Sequence, residues 1–111
     1  MQAPLPTSTE TLYSTLGGDP DLRDIVEMFV DEMPDRTAAL LQRIDAGDWE
    51  GLRRLAHQLK GAAGSYGFEP ITHLAARVED ALRESRPKPE IRRLADELIE
   101  LCDRAQAGPP A

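Results

Sequence analysis

The side chains of this chain best placed for nucleophilic chemistry lie in one stretch, His57-Gln58-Leu59-Lys60-Gly61-Ala62-Ala63-Gly64-Ser65-Tyr66-Gly67. An imidazole is nucleophilic at neutral pH because its unperturbed pKa is about 6.5. Lys60 follows one helical turn later, and Gly61 and Gly64 stand at i+4 and i+7 from His57, on the same stripe of a helix. A glycine inside a helix costs about 0.5–1 kcal/mol relative to alanine. Two of them beside a histidine indicate that bare backbone is wanted there, so that another surface can approach the ring. A phosphoryl group on the ring nitrogen would carry close to two negative charges, which Lys60 on one side and Arg53 on the preceding turn could offset.

The helix that must carry these residues is legible in its apolar positions. Leu52, Leu55, Ala56, Leu59, Ala62 and Ala63 cluster on one side, and His57 falls roughly 150° from the centre of that cluster. The imidazole therefore faces solvent. Asp48 caps the start of this helix, and Gly64 and Gly67 close it.

The remaining elements follow from the same rules. Asp19-Pro20 starts a helix with the stripe Leu22, Ile25, Val26, Phe29, Val30 and Met33, which Pro34 should kink or break. Periodicity resumes at Ala38, Leu41 and Ile44 and ends at Gly47. A further helix begins near Glu69-Pro70 with Ile71, Leu74, Ala75, Val78, Ala81 and Leu82, and a last one follows Pro87-Lys88-Pro89 with Ile91, Leu94, Leu98, Leu101 and Cys102. Short connections between long amphipathic helices predict an all-α, antiparallel up-and-down four-helix bundle. One short helical turn over residues 9–14 should precede it. The expected organisation is a flexible segment over 1–8, the bundle over 9–106 and a flexible tail over 107–111. Met1 and the short ending favour a free-standing protein.

On the wheel of the helix after Glu69, Thr72, Ala76, Glu79 and Arg83 form a flank beside the apolar stripe that can face the histidine helix. There Glu79 can accept a hydrogen bond from Nδ1–H of His57, fixing the tautomer and leaving Nε2 outward and unprotonated. The alternative is a solvated Glu79–Arg83 pair at i, i+4.

Composition narrows the function. Thirteen Lys and Arg against twenty Asp and Glu give a net charge of −7, which disfavours nucleic-acid binding. The basic residues are uneven: Arg53, Arg54 and Lys60 crowd around His57 while acids dominate residues 19–35. Such a local positive field suits a phosphoryl group or an acidic partner. Aromatic residues make up only 5%, so the core must be aliphatic. No apolar run reaches the roughly 20 residues that a bilayer span needs, and Met1–Pro6 lacks the features of a signal peptide. The single cysteine, Cys102, fits a reducing cytoplasm and reads as a buried apolar residue. His73 lacks the lysine and glycine pattern of His57 and reads as a surface residue, so no metal site is expected.

His57-Gln58-Leu59-Lys60-Gly61, with Gly64 and Gly67-Phe68 in register, resembles the signature of histidine-containing phosphotransfer domains. The likeness extends over residues from about 19 to 105, and Tyr66 stands where the usual member has a small or aliphatic residue. The resemblance implies a four-helix bundle that carries a phosphoryl group on His57 in multistep two-component signalling, with Lys60 as the phosphate-side cation and Gly61 as the clearance position. Glu79 aligns where many members keep a polar residue touching the histidine. The implied partners are response-regulator receiver domains and a sensor histidine kinase, met through a docking surface that includes Arg53, Arg54, Gly61 and Gly64. No cofactor is expected in this chain, Mg²⁺ belonging to the receiver, and no glycine-rich nucleotide loop is present. A cytoplasmic monomer without kinase activity of its own follows. The rival readings are a non-catalytic helical interaction module and a hydrolase, for which the chain offers no second catalytic group near His57 besides Glu79.

Overall fold

The computed structural model describes residues 11–108. It contains five helices: α1 (Pro20–Asp31), α2 (Met33–Ala46), α3 (Trp49–Ser65), α4 (Glu69–Arg83) and α5 (Lys88–Asp103). Their ends obey the signals in the sequence. The Asp19 carboxylate accepts a hydrogen bond from the amide of Asp21 at 2.9 Å, and that of Asp48 accepts from Gly51 at 2.9 Å. Gly47 closes α2 in the left-handed region at φ 67°, where a side chain would be strained.

Glu32 alone separates α1 from α2. The cause is Pro34, which has no N–H to give to the carbonyl of Val30 four residues earlier. The Glu32 amide still closes on the Met28 carbonyl at 3.1 Å, and the break falls at Glu32, two residues before the proline.

Helices α2 to α5 form the bundle. Each packs on its two neighbours, α3 between α2 and α4, and α5 between α4 and α2. The core between them is aliphatic, with Leu40, Leu52, Leu59, Ile71, Val78, Ile91 and Leu98 buried. Short α1 covers one end, where Phe29 stacks on Tyr66 at 4.9 Å and on Phe68 at 5.7 Å between ring centroids. Tyr66 thereby ties α1 to the end of α3. Cys102 is buried, and burial pushes its thiol pKa up to about 12.

The short helical turn expected over 9–14 is not what residues 11–14 adopt; residues 9 and 10 lie outside the described residues. Leu12–Tyr13 (β1) is instead extended and pairs in parallel with Ala105–Gln106 (β2), through bonds from the Leu12 amide to the Arg104 carbonyl and from the Ser14 amide to the Gln106 carbonyl. The Ser14 hydroxyl donates to the Tyr66 carbonyl at 2.6 Å and the Thr15 amide to the Gly67 carbonyl at 2.9 Å. A local turn would satisfy fewer of these distant carbonyls than the extended chain does. Ala107, assigned by sequence to the tail, is buried. Residues 1–8 and 109–111, expected to be flexible, lie outside the described residues.

Candidate functional site

Helix α3 presents His57 outward, with 60% of its side chain exposed. Its Nδ1 lies 2.8 Å from Oε2 of Glu79 on α4. Glu79 is fully buried. Its other oxygen, Oε1, accepts from the Lys60 ammonium at 2.7 Å, and Oε2 also accepts from Arg83 Nη2 at 3.0 Å. A buried carboxylate is tolerated only when it is paired and hydrogen-bonded, and here three cationic or donor side chains meet it. The Lys60 hydrogen bond above all, then that of His57 and the charges of Lys60 and Arg83, hold the Glu79 carboxyl below its ordinary value against the opposing effect of burial. Glu79 is therefore an anion at neutral pH. An anion can only accept from Nδ1, which places the ring proton on Nδ1 and leaves the Nε2 lone pair on the far side of the ring.

The orienting contact and the solvated-pair alternative thus coexist: Glu79 meets both His57 and Arg83, and it is not solvated. Lys60 points at Glu79 rather than away from the helix. Arg53 is held by Glu50, with contacts of 3.0 Å and 2.7 Å to Oε2.

The two glycines differ. A methyl added at Gly61 would meet nothing within 4 Å, so no contact within the described chain demands glycine there. A methyl at Gly64 would lie 3.2 Å from Oγ1 of Thr72, and that hydroxyl donates to the Lys60 carbonyl at 3.0 Å. Gly64 therefore has a packing reason, the close approach of α4 to α3. His73 is exposed and 3.3 Å from Glu69. Among the described residues no group of three or more His, Cys, Asp or Glu side chains could hold a metal ion.

Two side chains that the sequence analysis did not count as site residues border the histidine. Arg83 and Gln58 join Arg53, Arg54 and His57 around a shallow depression of about 210 Å³. Gln58 also borders a larger groove of about 400 Å³ between α2 and α3, where Leu40, Leu55 and Leu59 form the floor and Glu32 and Asp35 the rim. The wheel put Arg83 with Glu79 on the flank of α4 that can face α3, but read it only as the i+4 partner of Glu79 and not as part of the site.

An exposed histidine of α3 held by a buried anion of α4 on a helical bundle is the class of site that the fold and its side chains define. The Hpt domain family model matches residues 24–108, most of the chain, and the chain belongs to that family, the histidine phosphotransfer domains of two-component signalling. No curated protein sequence and no solved structure matches significantly. Among the described residues no helix is long and apolar enough to cross a membrane.

Proposed function

We propose that this chain is a phosphorelay carrier that accepts a phosphoryl group on Nε2 of His57 from a phospho-aspartyl receiver domain or a histidine kinase and passes it to a response-regulator receiver. The observation that carries the reading is the 2.8 Å contact between Nδ1 of an exposed His57 and a buried, ionised Glu79. With the proton fixed on Nδ1, the Nε2 lone pair attacks phosphorus, the aspartyl P–O bond breaks, and the receiver's carboxylate leaves with the electron pair. In the return step the P–N bond breaks and the ring departs as a neutral imidazole, because Nδ1 has kept its proton. Without that proton the leaving group would be an imidazolate, a far poorer one.

The chain itself supplies position and charge, which dominate phosphoryl-transfer catalysis. The metal ion and acidic pocket are the receiver's contribution. Gly61 leaves open space beside the ring for the receiver to enter. The α2–α3 groove offers apolar contact next to it, and Arg53 and Arg54 face the acidic rim of the incoming pocket. Such a contact belongs at the small, transient end of protein interfaces.

Incubation with a phosphorylated receiver tests the proposal. Acid-labile, base-stable label is expected on the wild type and none on His57→Gln. Label retained by that variant sinks the assignment, and receiver binding without any label on the wild type would mark a docking module instead.

A further inference from the structure

We propose that the depression beside His57 is the seat of the phosphoryl group and that Arg83 of α4 is the cation that grips it. The proposal rests on the carrier reading for its biological setting but not for its chemistry. Two donors converge on one oxygen of Glu79: His57 Nδ1 at 2.8 Å and Arg83 Nη2 at 3.0 Å both meet Oε2. The guanidinium therefore stands beside the imidazole, as close to it as a shared acceptor atom requires. Lys60 meets the other oxygen, Oε1, and does not border the depression, which Arg53, Arg54, His57, Gln58 and Arg83 line.

Arg83 has donors to spare. Its side chain is 56% exposed, and one of its five N–H groups serves Glu79. The others present the planar fork that matches two phosphate oxygens at once. Arg53 is already occupied by both oxygens of Glu50. The cations therefore divide the work: Lys60 holds the carboxylate that orients the ring, and Arg83 spans that carboxylate and the phosphoryl group. Glu79 in turn keeps the guanidinium at the site before phosphate arrives, so little ordering remains to be done on loading.

The test uses potassium phosphoramidate, a small phosphoryl donor, on the whole chain. His57 Nε2 attacks phosphorus, the donor's P–N bond breaks, and ammonia leaves with the electron pair. The ³¹P signal of the loaded protein is then titrated, and the ring ¹⁵N shifts of the unloaded protein are recorded. The charged groups that line this seat are Arg53 and Arg54 from α3 and Arg83 from α4, with the Lys60–Glu79 pair outside its lining. Loss of the Arg83 charge should raise the phosphoryl pKa by about half a unit, so Arg83→Gln is expected to titrate higher. Arg83→Lys, which keeps charge without the fork, should fall between the two. In both variants the unloaded ring should keep its proton on Nδ1, because Lys60 still holds Glu79. An unchanged ³¹P titration in Arg83→Gln overturns the proposal. So does a ring ¹⁵N pattern in which the proton has moved to Nε2, which would show Arg83 acting through Glu79. If phosphoramidate loads His57 but no receiver exchanges with it, the carrier reading fails while the Arg83 result stands.

Discussion

At the scale of single residues the site is organised by Glu79, and its ionisation has consequences for stability. Its carboxyl is held below its ordinary value of 4.5 by Lys60, His57 and Arg83. A group with a depressed folded pKa adds stability above its unfolded value and loses it as pH falls through the folded one. Glu79→Gln should therefore unfold about 1–3 kcal/mol more easily at pH 7, and the gap from wild type should close as the pH drops below 4.5. Thermal melts across that range check both the size and the sign. Gly61 belongs to the same scale with the opposite expectation. A side chain there meets open space, so Gly61→Arg should melt at or slightly above the wild-type temperature, since helix propensity improves by about 1 kcal/mol. It should still slow phosphotransfer from a receiver by about a hundredfold, because reacting atoms can no longer reach in-line distance. Normal transfer would show that the bare backbone serves no approach.

At the scale of elements the site depends on how closely α4 lies on α3. Gly64 and Thr72 set that distance, and the Thr72 hydroxyl binds the Lys60 carbonyl one turn from the site. Gly64→Val should push the helices apart and cost about 1–3 kcal/mol in denaturant titrations. Unlike Gly61→Arg, it should lower stability and transfer together. Much of this level was legible in sequence. The wheel put His57 outward and the caps at Asp19 and Asp48 marked true helix starts, because such signals act within one or two turns. What was not legible needed distant contacts. The Lys60–Glu79 bond joins residues 19 apart on different helices. The full burial of Glu79, which the wheel placed on a flank, depends on how α3 and α4 pack. The β1–β2 clasp has strands of two residues, too short for any periodicity to announce them. Its bonds reach from Leu12 and Ser14 to the far end of the chain, so residues 11–14, read alone, suggested a turn.

At the scale of the whole molecule, an acidic protein of net charge −7 keeps Arg53, Arg54 and Arg83 together at the ring and Glu32 and Asp35 across the neighbouring groove. Exposed charges of this kind act on encounter more than on final affinity and are screened within about 8 Å at physiological salt. The rate of transfer from a cognate receiver should fall by roughly tenfold between 50 mM and 500 mM salt, and Arg53→Glu with Arg54→Glu should flatten that dependence; stopped-flow transfer rates measure both.

The bundle, the groove and the charges converge on one nitrogen atom. The central claim is that Glu79 keeps the proton on Nδ1 so that phosphorus joins His57 at Nε2. Long-range ¹H–¹⁵N and ¹⁵N–³¹P correlation spectra of the receiver-phosphorylated protein test it directly. A phosphorus coupling to Nε2 of His57, with Nδ1 still protonated, is the result predicted; coupling to Nδ1, or to any residue other than His57, would contradict the account.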